Sequence, residues 1–171
     1  LAASLDDARA LVRLEKETTL TMMVAENFRY RRLYLRTREL VESGSIGGVY
    51  AAVWNFATDV ASGANLQYLG TKWRLDGGVY PGGFIVDGGV HITAVLHDLF
   101  GEIVRVSATS ASANPDAGPV DTMTTNFVTR DAVMGTIHQF YSSKGLRSNT
   151  LTIHGDRGTI VVDNNANTIA L

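Results

Sequence analysis

The sequence predicts an α+β fold: an open, mostly antiparallel β-sheet with helices packed on one face, preceded by a separate helix and strand. Helical periodicities all fall before Gly101, whereas from Ile103 onward the chain breaks into short β-like runs separated by turn sequences. The alternation of helix and buried strand that marks a parallel α/β sheet occurs once, at the N-terminus, and does not repeat.

SLDDARALVRLEKET opens with a capping-box variant, Ser4 and Asp7, and places Leu5, Ala8, Leu11 and Val12 at helical spacing. LTMMVA, residues 20–25, is a short apolar run bounded by polar residues, which predicts a buried strand of a parallel sheet. LYLRTRELVESG predicts a second helix with Leu33, Thr37, Leu40 and Val41 on one face and Gly44 at its end. VYAAVWNFATDV alternates, with Tyr50, Trp54 and Phe56 on one face and Val49, Ala51 and Val53 on the other, so both faces of a long strand are expected to be covered. A loop from about Ala61 to Gly83 is longer than most connections and is expected to be functional. VDGGVHITAVLHDLFG predicts a helix that Gly101 ends, and strands are expected near 103–111, 120–129, 133–141, 149–154, 159–163 and 168 to the end.

Fifteen basic against seventeen acidic residues leave a formal charge of −2, with no long run of one sign, which argues against nucleic acid or an anionic membrane as partner. No window approaches the roughly 18 apolar residues of a membrane span. With no cysteine there is no disulfide and no thiolate metal site, which fits a reducing compartment, and nothing at the N-terminus reads as a signal peptide. The expectation is a cytoplasmic protein. No dinucleotide fingerprint and no phosphate loop occur.

In GGFIVDGGVH, Asp87 and His91 stand four residues apart, on one side of a helical turn. One reading is an N-cap aspartate near an ordinary histidine. The other is a carboxylate that orients a proton-accepting imidazole, with Gly88 and Gly89 keeping bulk away from the space in front. His97 lies too far around the helix to share a metal with His91, so no metal is expected. In the loop, Tyr68, Lys72, Trp73, Arg74 and Tyr80 either line a polyol pocket or, for Trp73 and Tyr80, pin the loop to the domain.

VAENFRY at 24–30, LVESGSIGGVY at 40–50 and KWRLDGGVYPGGFIVDGGVHITAVLHDLFG at 72–101 together resemble the oxidoreductases named for glucose-fructose oxidoreductase, inositol dehydrogenase and a rhizopine-catabolism protein, and the wording around YPGGFIVDGGVH resembles fungal-type members. The resemblance runs over nearly the whole chain. It implies residues 1–26 as the C-terminal remnant of a Rossmann-type nucleotide-binding domain and residues 27–171 as an α+β substrate and oligomerisation domain, incomplete at its C-terminus. It further implies hydride transfer between NAD or NADP and a sugar, polyol or related compound. His91 would be the general acid/base, Asp87 its orienting partner, and Asn27 and Arg29 would touch the nicotinamide end, while Lys72, Trp73, Arg74 and Tyr80 would bind substrate.

The family's Glu-Lys-Pro motif does not occur here, and the chain is expected to start just after it. The main cofactor-binding domain is then absent, and the chain alone is expected to be inactive. Homo-oligomers through the sheet face are expected. A ligand-sensing regulator of the same fold, or an oligomerisation module, is the alternative.

Overall fold

The computed structural model describes residues 2–62 and 66–171; Leu1 and residues 63–65 of the expected loop lie outside the described residues. Helix α1, Leu5–Glu17, begins as its cap predicts, with the Asp7 N–H donating to Ser4 Oγ at 3.1 Å. None of its residues is buried, and Leu5, Val12 and Leu14 stand exposed. Residues 20–25 do not form the buried strand that their apolar run predicts: the segment is irregular, and Leu20 and Met23 are 77% and 82% exposed. A strand needs a neighbour for its backbone groups, and no described strand pairs with this segment.

A 3₁₀ turn, Phe28–Tyr30, leads into α2, Arg32–Glu42, which buries Leu33, Tyr34 and Thr37. Gly44 ends it in the left-handed region, at φ 68°. Strand β1, Val49–Ala57, follows. The long connection then holds a short helix, α3 (Leu66–Leu69), and a 3₁₀ turn at Lys72–Arg74. Helix α4 spans Gly83–Phe100, three residues more at its N-terminus than the sequence predicts. The remaining strands are β2 (Ile103–Ala111), β3 (Thr122–Thr129), β4 (Met134–Phe140), β5 (Ser148–Gly155), β6 (Gly158–Asp163) and β7 (Thr168–Ala170), where the turn sequences place them.

These strands form one open sheet in the order β2-β3-β4-β1-β5-β6-β7. Every neighbouring pair is antiparallel except β1 and β4, which run parallel because α4, β2 and β3 intervene in the chain and supply the long crossover that a parallel pair requires. Helices α2 and α4 lie on one face. Between them and the sheet sits a core of Tyr34, Trp54, Leu96, Leu151, Ile153, Ile160 and Val162, all fully buried. Each such aliphatic side chain stabilises the fold by about 1.5–3 kcal/mol.

Gly135 of β4 is required there, because a Cβ would overlap the Ala52 carbonyl oxygen and the Phe127 ring. Tyr50 is a correction to the expected alternation. A register irregularity between Val49 and Ala51 takes it off the Trp54 face, so it is 56% exposed and its ring lies beside His154.

Candidate functional site

Helix α4 crosses the sheet with its glycines against β4 and the residue that follows it. Buried Gln139 donates from Nε2 to the Ile85 carbonyl at 3.1 Å and lies against Gly89, while the Tyr141 hydroxyl occupies the space a Gly88 side chain would take. The two glycines therefore admit the sheet's polar side chains to the helix backbone; they do not merely clear room before the histidine. Asp87 is not an N-cap. Gly82 holds that position, and Asp87 lies in the second turn, because the helix starts earlier than its apolar pattern suggests.

His91 is held by the chain segment that precedes α2. Its Nδ1 is 2.7 Å from Glu26 Oε2, and the Phe28 ring stacks on the imidazole at 4.3 Å with 12° between planes. The second Glu26 oxygen, Oε1, accepts from the Phe28 N–H at 2.8 Å. Asp87 turns elsewhere: its Oδ2 accepts from Arg74 Nε at 2.7 Å, and the Arg74 guanidinium covers the Trp73 ring at 4.2 Å. No hydrogen bond joins Asp87 to His91 among the described residues.

Beside these groups opens a cavity of about 350 Å³. Its floor is aromatic, with Trp54, Phe56, Phe84 and Tyr141; Asp87 and His91 stand on one wall, and Arg147, Ser148 and Asn149 on another. An apolar floor with a few convergent polar groups is the usual form of a small-molecule site. Burial pushes the Tyr141 phenol well above its ordinary range, a hydrogen bond to Gln139 offsets part of this, and the Asp87 charge adds to it, so Tyr141 presents a neutral hydroxyl. Burial likewise pushes Tyr34 up to about 12. Tyr80 is raised by burial first and then by Asp87, with Arg74 opposing.

The structure brings Asp87 and His91 to one cavity wall and adds Tyr68 from the loop. It does not bring Lys72, Trp73, Arg74 or Tyr80 to the cavity lining. Trp73 packs edge-on against Tyr80 at 4.9 Å, the loop-pinning arrangement, and Arg74 reaches the site only through Asp87. Asn27 caps the 3₁₀ turn by position, without a side-chain bond. Arg29 bonds Asp98 at 3.2 Å, an aspartate that Arg38 also holds, so it ties the crossover to α4. Tyr141, Arg147 and Asn149 have no local signature in the sequence, whereas Glu26 and Phe28 fall within the motif VAENFRY, which nothing local marks as supplying the partners of His91. No group of three or more potential metal-ligating His, Cys, Asp or Glu occurs among the described residues.

Residues 34–161 match the family model described as the GFO/IDH/MocA C-terminal domain. Among curated proteins, the chain is 31% identical over 165 residues to the uncharacterized protein YMR315W of Saccharomyces cerevisiae, covering 95% of this chain and 46% of that protein. It is 27% identical to D-apiose dehydrogenase of Rhizobium rhizogenes, covering 93% and 45%. The chain thus spans about half the length of the curated relatives it matches.

Among solved structures, an oxidoreductase from Thermotoga maritima superposes with a TM-score of 0.85 at 31% identity, over 95% of this chain and 48% of that one. An oxidoreductase from Agrobacterium radiobacter in complex with NAD+, L-tartaric acid and magnesium superposes at 0.76 with 25% identity, over 99% and 51%.

Proposed function

Because the chain belongs to the GFO/IDH/MocA family, matching its C-terminal domain over residues 34–161, we propose that it is the substrate-binding part of an NAD(P)-dependent oxidoreductase acting on a sugar, polyol or related hydroxyl or carbonyl compound. The observation that carries this reading is His91, set in the cavity wall with Nδ1 engaged by Glu26 and Nε2 left without a protein partner among the described residues. An imidazole so held accepts a proton from a substrate hydroxyl at Nε2, or returns one to a carbonyl oxygen. Aromatic side chains of the floor pack on substrate C–H groups while Asn149, Arg147 and the Tyr141 hydroxyl serve its oxygens. Asp87, held by Arg74, faces the same cavity and bonds a second hydroxyl.

When bound, the nicotinamide ring accepts or returns the hydride. D-apiose dehydrogenase and the NAD+ complex with L-tartaric acid among the relatives support this class of cofactor and substrate. The residues present fit the reacting end of such a cofactor. They do not fit its phosphates: among the described residues no Gly-x-Gly-x-x-Gly turn joins a strand directly to a helix, and Arg29 is engaged by Asp98. Residues 1–26, with the exposed face of α1 and the unpaired segment 20–25, are then the end of a nucleotide-binding domain that the rest of the protein supplies. The outward face of the sheet, which no described helix covers, is the surface for homo-oligomers. Among the described residues no helix is long and apolar enough to cross a membrane.

The test is turnover of the full-length protein with NAD+ and NADP+ across a panel of sugars and polyols. His91→Asn is expected to lower kcat by about 10²- to 10⁴-fold while cofactor binding, followed by nicotinamide fluorescence, is retained. A loss under about tenfold removes His91 from this role. The 171-residue chain alone is expected neither to bind NADH nor to turn over. Absence of turnover in the full-length protein on every substrate would favour the ligand-sensing reading.

A further inference from the structure

We propose that Glu26 is the positioning residue of this site: it sets the tautomer and orientation of His91, and so makes Nε2 the ring nitrogen that exchanges the proton. The inference rests on His91 as the acid/base group and names the residue through which that group is prepared. A carboxylate only accepts, so at 2.7 Å from Nδ1 it selects the imidazole that carries its proton on Nδ1 and keeps the lone pair on Nε2. Stacking on Phe28 at 4.3 Å fixes the plane of the ring, and the bond to Glu26 decides which edge of that plane faces the cavity.

Glu26 is itself anchored. Its other oxygen takes the Phe28 N–H at 2.8 Å, and its side chain is only 13% exposed. Asp87 does not serve in its place: its Oδ2 accepts from Arg74, and no hydrogen bond joins it to His91 among the described residues. When a substrate hydroxyl gives its proton to Nε2 as its carbon loses hydride to the nicotinamide, the imidazolium that forms lies against the Glu26 carboxylate, which stabilises it as the buried aspartate does in a serine-protease triad.

The anchoring makes the substitution Glu26→Gln informative. The Phe28 N–H requires an oxygen, so the amide nitrogen of the glutamine is left facing Nδ1. That nitrogen donates, and the ring must then carry its own proton on Nε2, the wrong side. Glu26→Ala, by contrast, imposes no tautomer. The expected order of kcat is therefore wild type, then Glu26→Ala, then Glu26→Gln, with the glutamine variant down by about 10²- to 10⁴-fold and KM and cofactor binding little changed. A merely structural role gives the reverse order, since glutamine keeps the volume and alanine does not.

The direct readout is the long-range ¹H–¹⁵N spectrum of histidine-labelled full-length protein, with the His91 signals assigned by their loss in His91→Asn. Nδ1 protonated in the wild type, Nε2 protonated in Glu26→Gln and a mixture in Glu26→Ala is the expected result. Nδ1 protonated in Glu26→Gln, with alanine the more damaging change, overturns the proposal. Should His91→Asn leave turnover intact, the acid/base reading fails by itself, and the spectra still decide whether Glu26 sets the tautomer.

Discussion

Arg74 donates from Nε to Asp87 Oδ2 at 2.7 Å, so the aspartate that stands four residues before His91 is tied to the loop after α3 and not to the imidazole. Both side chains are partly buried, at 15% and 33% exposed, which screens the pair less than an open surface pair. A double-mutant cycle with Arg74→Ala and Asp87→Asn, read by urea denaturation, is expected to give a coupling of about 0.5–1 kcal/mol. A coupling near zero would mean that Trp73 and Tyr80 pin the loop without the ion pair.

Gly88 makes room for Tyr141. A Cβ there would overlap the phenol oxygen and lie 3.2 Å from Cζ, and Tyr141 is buried and held by its neighbours. Gly88→Ala is expected to cost about 1–3 kcal/mol, the usual range for overpacking. Adding Tyr141→Phe removes the overlapping atom and is expected to restore part of the loss, leaving the tight Cζ contact. Equal stability of the single and double variants in chemical denaturation would show that the helix shifts instead.

Asp121 is buried between β2 and β4, where its carboxylate accepts from the backbone N–H groups of Ala113 at 2.7 Å and Asn114 at 2.8 Å and from the Ser142 hydroxyl. Burial raises its pKa, but the bonds from Ser142, Ala113, Asn114 and Thr122 outweigh that and hold it below the ordinary 3.8. A depressed folded-state value means stability that is fully present above the unfolded value of 3.8 and is lost as the pH falls through the folded one. Unfolding curves across that window are expected to steepen in acid for the wild type and to flatten in Asp121→Asn. The variant is also expected to be less stable at neutral pH by about 1–3 kcal/mol, because two N–H donors lose their charged acceptor.

The Thr125 hydroxyl is buried and has no hydrogen-bond partner among the described residues. Folding strips it of water without return, a cost of about 1–3 kcal/mol. Thr125→Val keeps the branched shape on β3 and removes the unsatisfied group, so its midpoint of denaturation is expected to rise by the equivalent of about 1 kcal/mol. A lower midpoint would show that the hydroxyl is bonded in solution.

Most of the fold was legible in the sequence because the determinants of helices, strands and turns are local. The Ser4 cap, the period of α2 and α4, the left-handed glycine at Gly44 and the turns between β3 and β7 all act within a few residues, and the structure follows them. Where a local pattern misleads, the missing factor is a neighbour: residues 20–25 have strand composition but no partner, and Tyr50 leaves its expected face at a register irregularity with β5.

The candidate site divides along the same line. Asp87 and His91 were visible as a pair because four residues make one helical turn. Their partners were not. Glu26 reaches His91 across 65 residues and Arg74 reaches Asp87 from a loop, while Gly88 and Tyr141 meet only once α4 is laid on β4. Residue type and spacing therefore determined which side chains can carry a proton. Packing between distant segments decided which carboxylate holds which group, since a hydrogen bond depends on distance in space and not along the chain.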